Sequence, residues 1–177
     1  MRVLVIGGVS FIGLAVTREL LAGGHEVAVY HCGRMEPDEA RGATHIHGDR
    51  DALEAARTRI GAFHPDVAIH MIAMTEAHGT AFTRALRGIA GRAVVISSQD
   101  VYRAYGRLLG AEPGPPDVTP LSEDAPLRER LYPHRQEQPR AEDDPARWMD
   151  MYEKILVERT VMAEPALPCA VIRLPAV

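Results

Sequence analysis

Residues 3–13 read VLVIGGVSFIG, an apolar run that passes through a glycine-bearing turn into the start of a helix. The apolar run Val3 to Ile6 has strand length and ends at Gly7 and Gly8. Helical periodicity begins at about Phe11, placing Ile12, Val16 and Leu20 on one face and leaving Arg18 and Glu19 to water. Gly23 and Gly24 stop that helix, and the run from Glu26 to Tyr30 (EVAVY) is a second strand. Strand, turn, helix and strand in this order make a βαβ unit, which implies a parallel sheet. Glycines in the first turn let backbone amides approach a diphosphate at the helix N-terminus. Glycines also end strands or permit close packing elsewhere, so it is the placement between strand and helix that carries the reading. Gly7, Gly8 and Gly13 shape the turn, with Ser10, Phe11 and Ile12 completing it.

The same alternation continues outward from the turn. A third strand carries His45 and His47, a helix follows Asp51, a strand runs from Val67 to Ile72, and a helix lies near Ala81 to Ile89. The strand from Arg92 to Ser97 contains the run AVVI, which lacks alternation as strands buried on both faces do. From about 103 to 147 periodicity collapses into a proline-rich, charged stretch, read as a long irregular insertion that covers something. A helix is expected from about Trp148 to Ala163, and Cys169 to Leu174 is a sixth strand. Residues 1–177 thus read as one α/β domain.

Composition narrows the function. At 177 residues and 46% apolar content the chain is long enough for a single core. A formal net charge of −4, with no basic stripe, argues against a nucleic-acid binder and points to small-molecule partners. Cys32 and Cys169 form neither a close-spaced metal motif nor a secreted-type disulfide framework, which fits a reducing cytoplasm. The N-terminal apolar run is too short for a signal-peptide core or a bilayer span, so no membrane association is expected. His45 and His47, two apart on a strand, share a face. No third ligand is evident from spacing, so no metal is assigned.

VLVIGGVSFIG, followed by a helix and GHEVAVY, resembles the start of the extended and atypical short-chain dehydrogenase/reductases, the NAD-dependent epimerase/dehydratase family. The usual turn there is GxxGxxG. Ser10 stands at its middle glycine, as in the GGTRFIG-type variants that include the chloroplast stem-loop-binding relatives. The resemblance implies a Rossmann-type doubly wound parallel sheet in three αβα layers, strand order 3-2-1-4-5-6, with NAD or NADP held along Gly7 to Gly13. At the end of the second strand, where an acidic residue commonly holds the ribose, this chain has His31. Arg34 beyond it is either a partner for a 2′-phosphate or a solvated surface cation, which leaves NAD and NADP both open. Asp49, followed by Arg50, matches an aspartate that contacts the adenine, or it caps a helix. His70 and Ala73 fall in the segment that flanks the nicotinamide ribose, although a lone histidine in an apolar strand also reads as a core residue.

VVISSQDVY resembles the family segment SSxxVYG, placing Ser98 at the substrate-orienting position with Ser97 beside it. The family mechanism pairs a tyrosine with a lysine four residues later on one helix face, where the cation lowers the phenol's pKa. In MDMYEKILVER the lysine is Lys154, which the resemblance also places on the nicotinamide ribose, but four residues before it stands Asp150. Tyr152 is two residues before Lys154, nearly opposite it on a regular helix. Three accounts remain: the helix begins late and Tyr152 works, Asp150 acts as a base in different chemistry, or catalysis has decayed while the cofactor still binds.

The function implied is an NAD(P)-dependent epimerase, dehydratase or reductase acting by hydride transfer on a sugar-nucleotide-like or other hydroxyl/carbonyl substrate. Its alternative is a non-catalytic NAD(P)-binding sensor or RNA-associated module. PCAVIRLPAV resembles the family's sixth strand, after which the substrate-binding C-terminal part normally follows, so the chain reads as a fragment. An exposed sheet edge and apolar surface would then favour poor solubility or pairing into a homodimer.

Overall fold

The computed structural model of the chain describes residues 1–175. Strands β1 (Arg2–Ile6), β2 (Glu26–His31), β3 (Thr44–His47), β4 (Val67–His70), β5 (Arg92–Ser98) and β6 (Cys169–Leu174) form one sheet in the order β3-β2-β1-β4-β5-β6. Every neighbouring pair is parallel. The connections run through α1 (Phe11–Ala22), α2 (Arg57–Phe63), α3 (Glu76–Leu86) and α5 (Lys154–Met162), with a short α4 (Arg103–Leu108) after β5. This is the Rossmann-type doubly wound architecture that the βαβ pattern implied.

Strand side chains alternate between two cores. Leu4, Ile6, Ala28 and Tyr30 pack beneath Ile60 of α2, Phe82 and Leu86 of α3 and Val157 of α5. Val3, Val5, Val27 and Val29 face the other way and pack with Ile12, Val16 and Leu20 of α1. Beyond the reach of α1, Val94 and Ile96 of β5 are only half-buried and Ile172 of edge strand β6 is 47% exposed. The burial of β5 therefore alternates, contrary to the reading of AVVI as a strand buried on both faces.

Two helix boundaries also differ from the sequence reading. The helix placed near Ala81 starts earlier, at Glu76, because Thr75 and His78 form a reciprocal cap: Thr75 Oγ1 accepts from the His78 amide and His78 Nδ1 from the Thr75 amide. The single helix expected from Trp148 to Ala163 is two pieces, a 3₁₀ turn at Arg147–Met151 and then α5. Tyr152 and Glu153 between them are extended, with φ −62° and −162°.

A buried ion pair accounts for that break. Glu153, fully buried, caps α5 by accepting from the Ile155 amide (2.9 Å), and it takes a two-pronged bond from Arg128 (2.6 and 2.9 Å). The Tyr132 amide donates to it as well (2.6 Å). Arg128 and Tyr132 both belong to the irregular insertion, which is thereby fastened across the start of α5. A carboxylate with four donors in a dry site cannot follow a continuous helix onto the surface, so the helix yields.

Candidate functional site

The turn after β1 is built by close backbone approach. Gly7 sits at φ +83°, and a Cβ at Gly13 would lie 2.0 Å from the Gly7 carbonyl oxygen, so only glycine fits there. The Thr17 hydroxyl donates to the Gly8 carbonyl (2.8 Å) and ties α1 to the turn. Ser10 precedes α1 in extended conformation without spending its hydroxyl on the helix, and Phe11, at φ +46°, is 74% exposed on the rim. Gly7, Ser10, Phe11, Ile12 and Gly13 form one wall of a cleft of about 440 Å³ at the C-terminal ends of β1, β4 and β5. Ligands of doubly wound sheets bind at that edge, where the strand order reverses. The space left by Gly13 and the N-terminus of α1 fit a dinucleotide diphosphate.

Ser97, Ser98, Tyr152 and Lys154 border the same cleft, and so does the half-exposed Trp148. The late start of α5 is what brings Tyr152 and Lys154 to one cavity, so the opposite-face argument from a regular helix is corrected. Lys154 is 4% exposed; its Nζ donates to the carbonyls of Ala73 (2.7 Å) and Ile96 (2.9 Å), and burial lowers its pKa to about 8. The Tyr152 phenol donates to Asp100 Oδ2 (2.7 Å). Burial first, and then the Asp100 carboxylate, push its pKa well above the ordinary phenol value, against an opposing Ser98 hydroxyl. Asp100 Oδ1 is buried and has no hydrogen-bond partner among the described residues.

The remaining sequence-derived residues lie elsewhere. Ser97 donates to Glu158 (2.5 Å), which in turn is bound by Arg173 (2.8 Å), so its hydroxyl braces β5 against α5 and β6. Asp150 is turned away from the cleft. It is ion-paired with Arg140 and accepts that residue's amide (2.9 Å), contacts that hold its carboxyl below the usual range. The account in which Asp150 serves as a base loses its geometry. Asp49 Oδ1 accepts from the Asp51 amide (2.9 Å), the capping role weighed against adenine contact. Arg50 lies beside Asp51 and over the Trp148 ring, and Arg34 is exposed.

His70 is buried against Phe82 with Nδ1 lacking a partner among the described residues, and burial holds its pKa well down. Ala73 contributes its carbonyl to Lys154. His31, at the end of β2, is 5% exposed and has both ring nitrogens engaged: Nε2 with His45 Nδ1 (2.9 Å) and Nδ1 with the Gly33 amide (3.1 Å). Burial first, and then the neighbouring imidazoles of His45 and His47, lower its pKa against the opposing Glu36 carboxylate.

A model of the NAD dependent epimerase/dehydratase family matches residues 3–107. The chain belongs to that family. No curated protein matches the sequence. Among solved structures, the chain is similar to the Bordetella bronchiseptica enzyme WbmG in complex with NAD and UDP: 18% identity, TM-score 0.68, 98% of this chain and 52% of that one. It is similar as well to the UDP-Glc/GlcNAc 4-epimerase of Campylobacter jejuni, at 17% identity, TM-score 0.65, and 97% and 52% coverage. The NAD dependent NDP-hexosamine 5,6-dehydratase TunA gives 20% identity, TM-score 0.64, and 97% and 54% coverage. At these identities the likeness is one of fold, and the chain spans about half the length of each of these relatives.

In this family member, sequence reasoning missed Asp100, Arg128 and Glu153. Asp100 lies inside the quoted SSQDVY segment, where its distance from Tyr152 gave no local signal. Arg128 sits in an aperiodic stretch whose charges all look alike until the chain folds.

Proposed function

We propose that the chain is the dinucleotide-binding part of a cytoplasmic NAD(P)-dependent epimerase, dehydratase or reductase acting on a sugar nucleotide or a similar hydroxyl/carbonyl substrate. The observation that carries the reading is one cleft bordered by the Gly7–Gly13 turn, Ser98, Tyr152 and Lys154. NAD or NADP, when bound, supplies a hydride acceptor and donor. The turn's amides and the N-terminus of α1 hold the diphosphate, and Lys154 orients the nicotinamide ribose. Ser98 orients the substrate oxygen. Tyr152 passes protons: its phenol takes one from the substrate hydroxyl while giving its own to Asp100, and the reverse restores it. This relay differs from the family's lysine-activated phenol, because Asp100, not a cation, touches Tyr152 here.

A second reading is favoured by the same contacts. Both Lys154 and Tyr152 are satisfied internally, as in a module that binds dinucleotide without catalysis. The two separate on turnover: oxidation of alcohols and sugar nucleotides with NAD⁺ or NADP⁺, followed at the nicotinamide absorbance, with binding read independently from Trp148 fluorescence. Turnover that Asp100→Asn lowers by about 10²- to 10⁴-fold at unchanged dinucleotide affinity supports the relay. Binding without turnover across the panel supports the module, and turnover indifferent to Asp100→Asn refutes the relay.

A further inference from the structure

His45 and His47 acquire two companions on folding. The parallel register of β2 and β3 pairs His31 with His47, which sets the three imidazoles on one face at the sheet edge. Glu36, from the connection between the two strands, closes the group: its Oε1 lies 2.7 Å from His47 Nε2 and 3.9 Å from His45 Nδ1. His31 Nε2 is 2.9 Å from His45 Nδ1, and one ligand atom from each of the four residues lies within 4.8 Å of every other. In a tetrahedron with zinc-type bonds the ligand atoms are about 3.3 Å apart, inside the range these contacts span.

From this geometry we propose that His31, Glu36, His45 and His47 form a site for a divalent transition-metal ion of the zinc class. Three imidazoles and a carboxylate are the donor set such an ion prefers over magnesium or calcium, which take oxygen. His45 is oriented for it from behind: its Nε2 lies 3.2 Å from the Ala40 carbonyl, which fixes the tautomer that leaves Nδ1 free to ligate. Half-exposed Glu36 and His47 give the ion a path in, while His45 and His31 form the floor. The His31–His45 contact is a hydrogen bond through one proton, which coordination by both nitrogens displaces to His31 Nδ1 as the Gly33 amide turns away. Four protein ligands fill the coordination shell, so the ion's role is to clamp the β2–β3 connection rather than to activate a water. Metal binding at this sheet edge does not depend on dinucleotide binding in the cleft.

The test uses the untagged chain after chelator treatment, titrated with ZnCl₂ by calorimetry and with CoCl₂ by visible absorption. The expected result is one equivalent of Zn²⁺ bound with a Kd below ~100 μM and the intense absorption of tetrahedral Co²⁺. At a hundredfold excess over Kd the melting temperature should rise by about 5–10 °C. His47→Ala and Glu36→Gln, both at exposed positions, should each weaken the ion by at least about tenfold while leaving the ion-free melting temperature within about 2 °C of the parent. His25→Ala, outside the cluster, should bind as the parent does. Binding weaker than ~100 μM, or binding that neither cluster variant weakens, overturns the proposal.

Discussion

Replacing Arg128 by Met tests the device that places Tyr152 and Lys154. The guanidinium is 3% exposed, bonded twice to a Glu153 side chain of zero exposure and once to the Asp100 carbonyl (2.9 Å). Removing one partner of such a pair leaves a buried carboxylate with only two amide donors, and costs about 3–5 kcal/mol. That is a large share of a domain stability of about 5–15 kcal/mol. For a chain of this length it lowers the melting temperature by about 6–20 °C. Because the pair also breaks the helix at Glu153, dinucleotide affinity read from Trp148 should fall alongside stability. The double variant Arg128→Met/Glu153→Gln removes both charges and keeps an amide to cap Ile155, so most of the lost stability should return. Thermal and urea melts of parent, single and double variants decide it. A single variant that melts within about 2 °C of the parent, or a double variant no more stable than the single, would show that the Arg128–Glu153 pair does not hold this region together.

Lys154 makes stability depend on pH. Unfolded, it keeps its proton to about pH 10; folded, it loses it above about 8. The unfolded state therefore binds more protons in between, and stability should rise by ~2 kcal/mol from pH 8 to 9.5. Cys169, whose burial raises its pKa to about 11, pulls the other way. The difference between parent and Lys154→Met in urea melts at the two pH values isolates the lysine, and equal slopes would contradict the effect. Gly13→Ala drives a methyl into the Gly7 carbonyl, a backbone atom that cannot swing aside. It should cost at least ~3 kcal/mol and about 6–12 °C in melting temperature, checked by calorimetry, and an unchanged melt would show that the turn is looser than described.

The sheet was legible because each strand and crossover carries its own periodicity: VLVI, EVAVY and AVVI are local signals, and GGVSFIG lies where strand passes to helix. The start of α5 was not. Its periodicity runs back to Trp148, and the residue that interrupts it, Glu153, does so through Arg128, 25 residues away in a stretch without pattern. For that reason the relation of Tyr152 to Lys154 stayed open among three accounts, and the late start of α5 matches the first of them. The histidines divide the same way. The pair on β3 shows in its spacing of two, whereas His31 joins through strand register and Glu36 through the path of a loop, neither of which composition encodes. Asp150 illustrates the converse: its position matched the family tyrosine by counting, but Arg140 draws it out of the cleft.

On this structure, the turn between β1 and α1 is where a dinucleotide diphosphate would be held. Titrating the folded chain with NAD⁺ and NADP⁺ while following Trp148, its only tryptophan and part of the cleft wall, tests it most directly. Saturable quenching by at least one of the two, with a Kd below ~1 mM and lost in Gly13→Ala, is the result expected. A chain that melts cooperatively yet binds neither dinucleotide at millimolar concentration would show that the turn is not a diphosphate cradle.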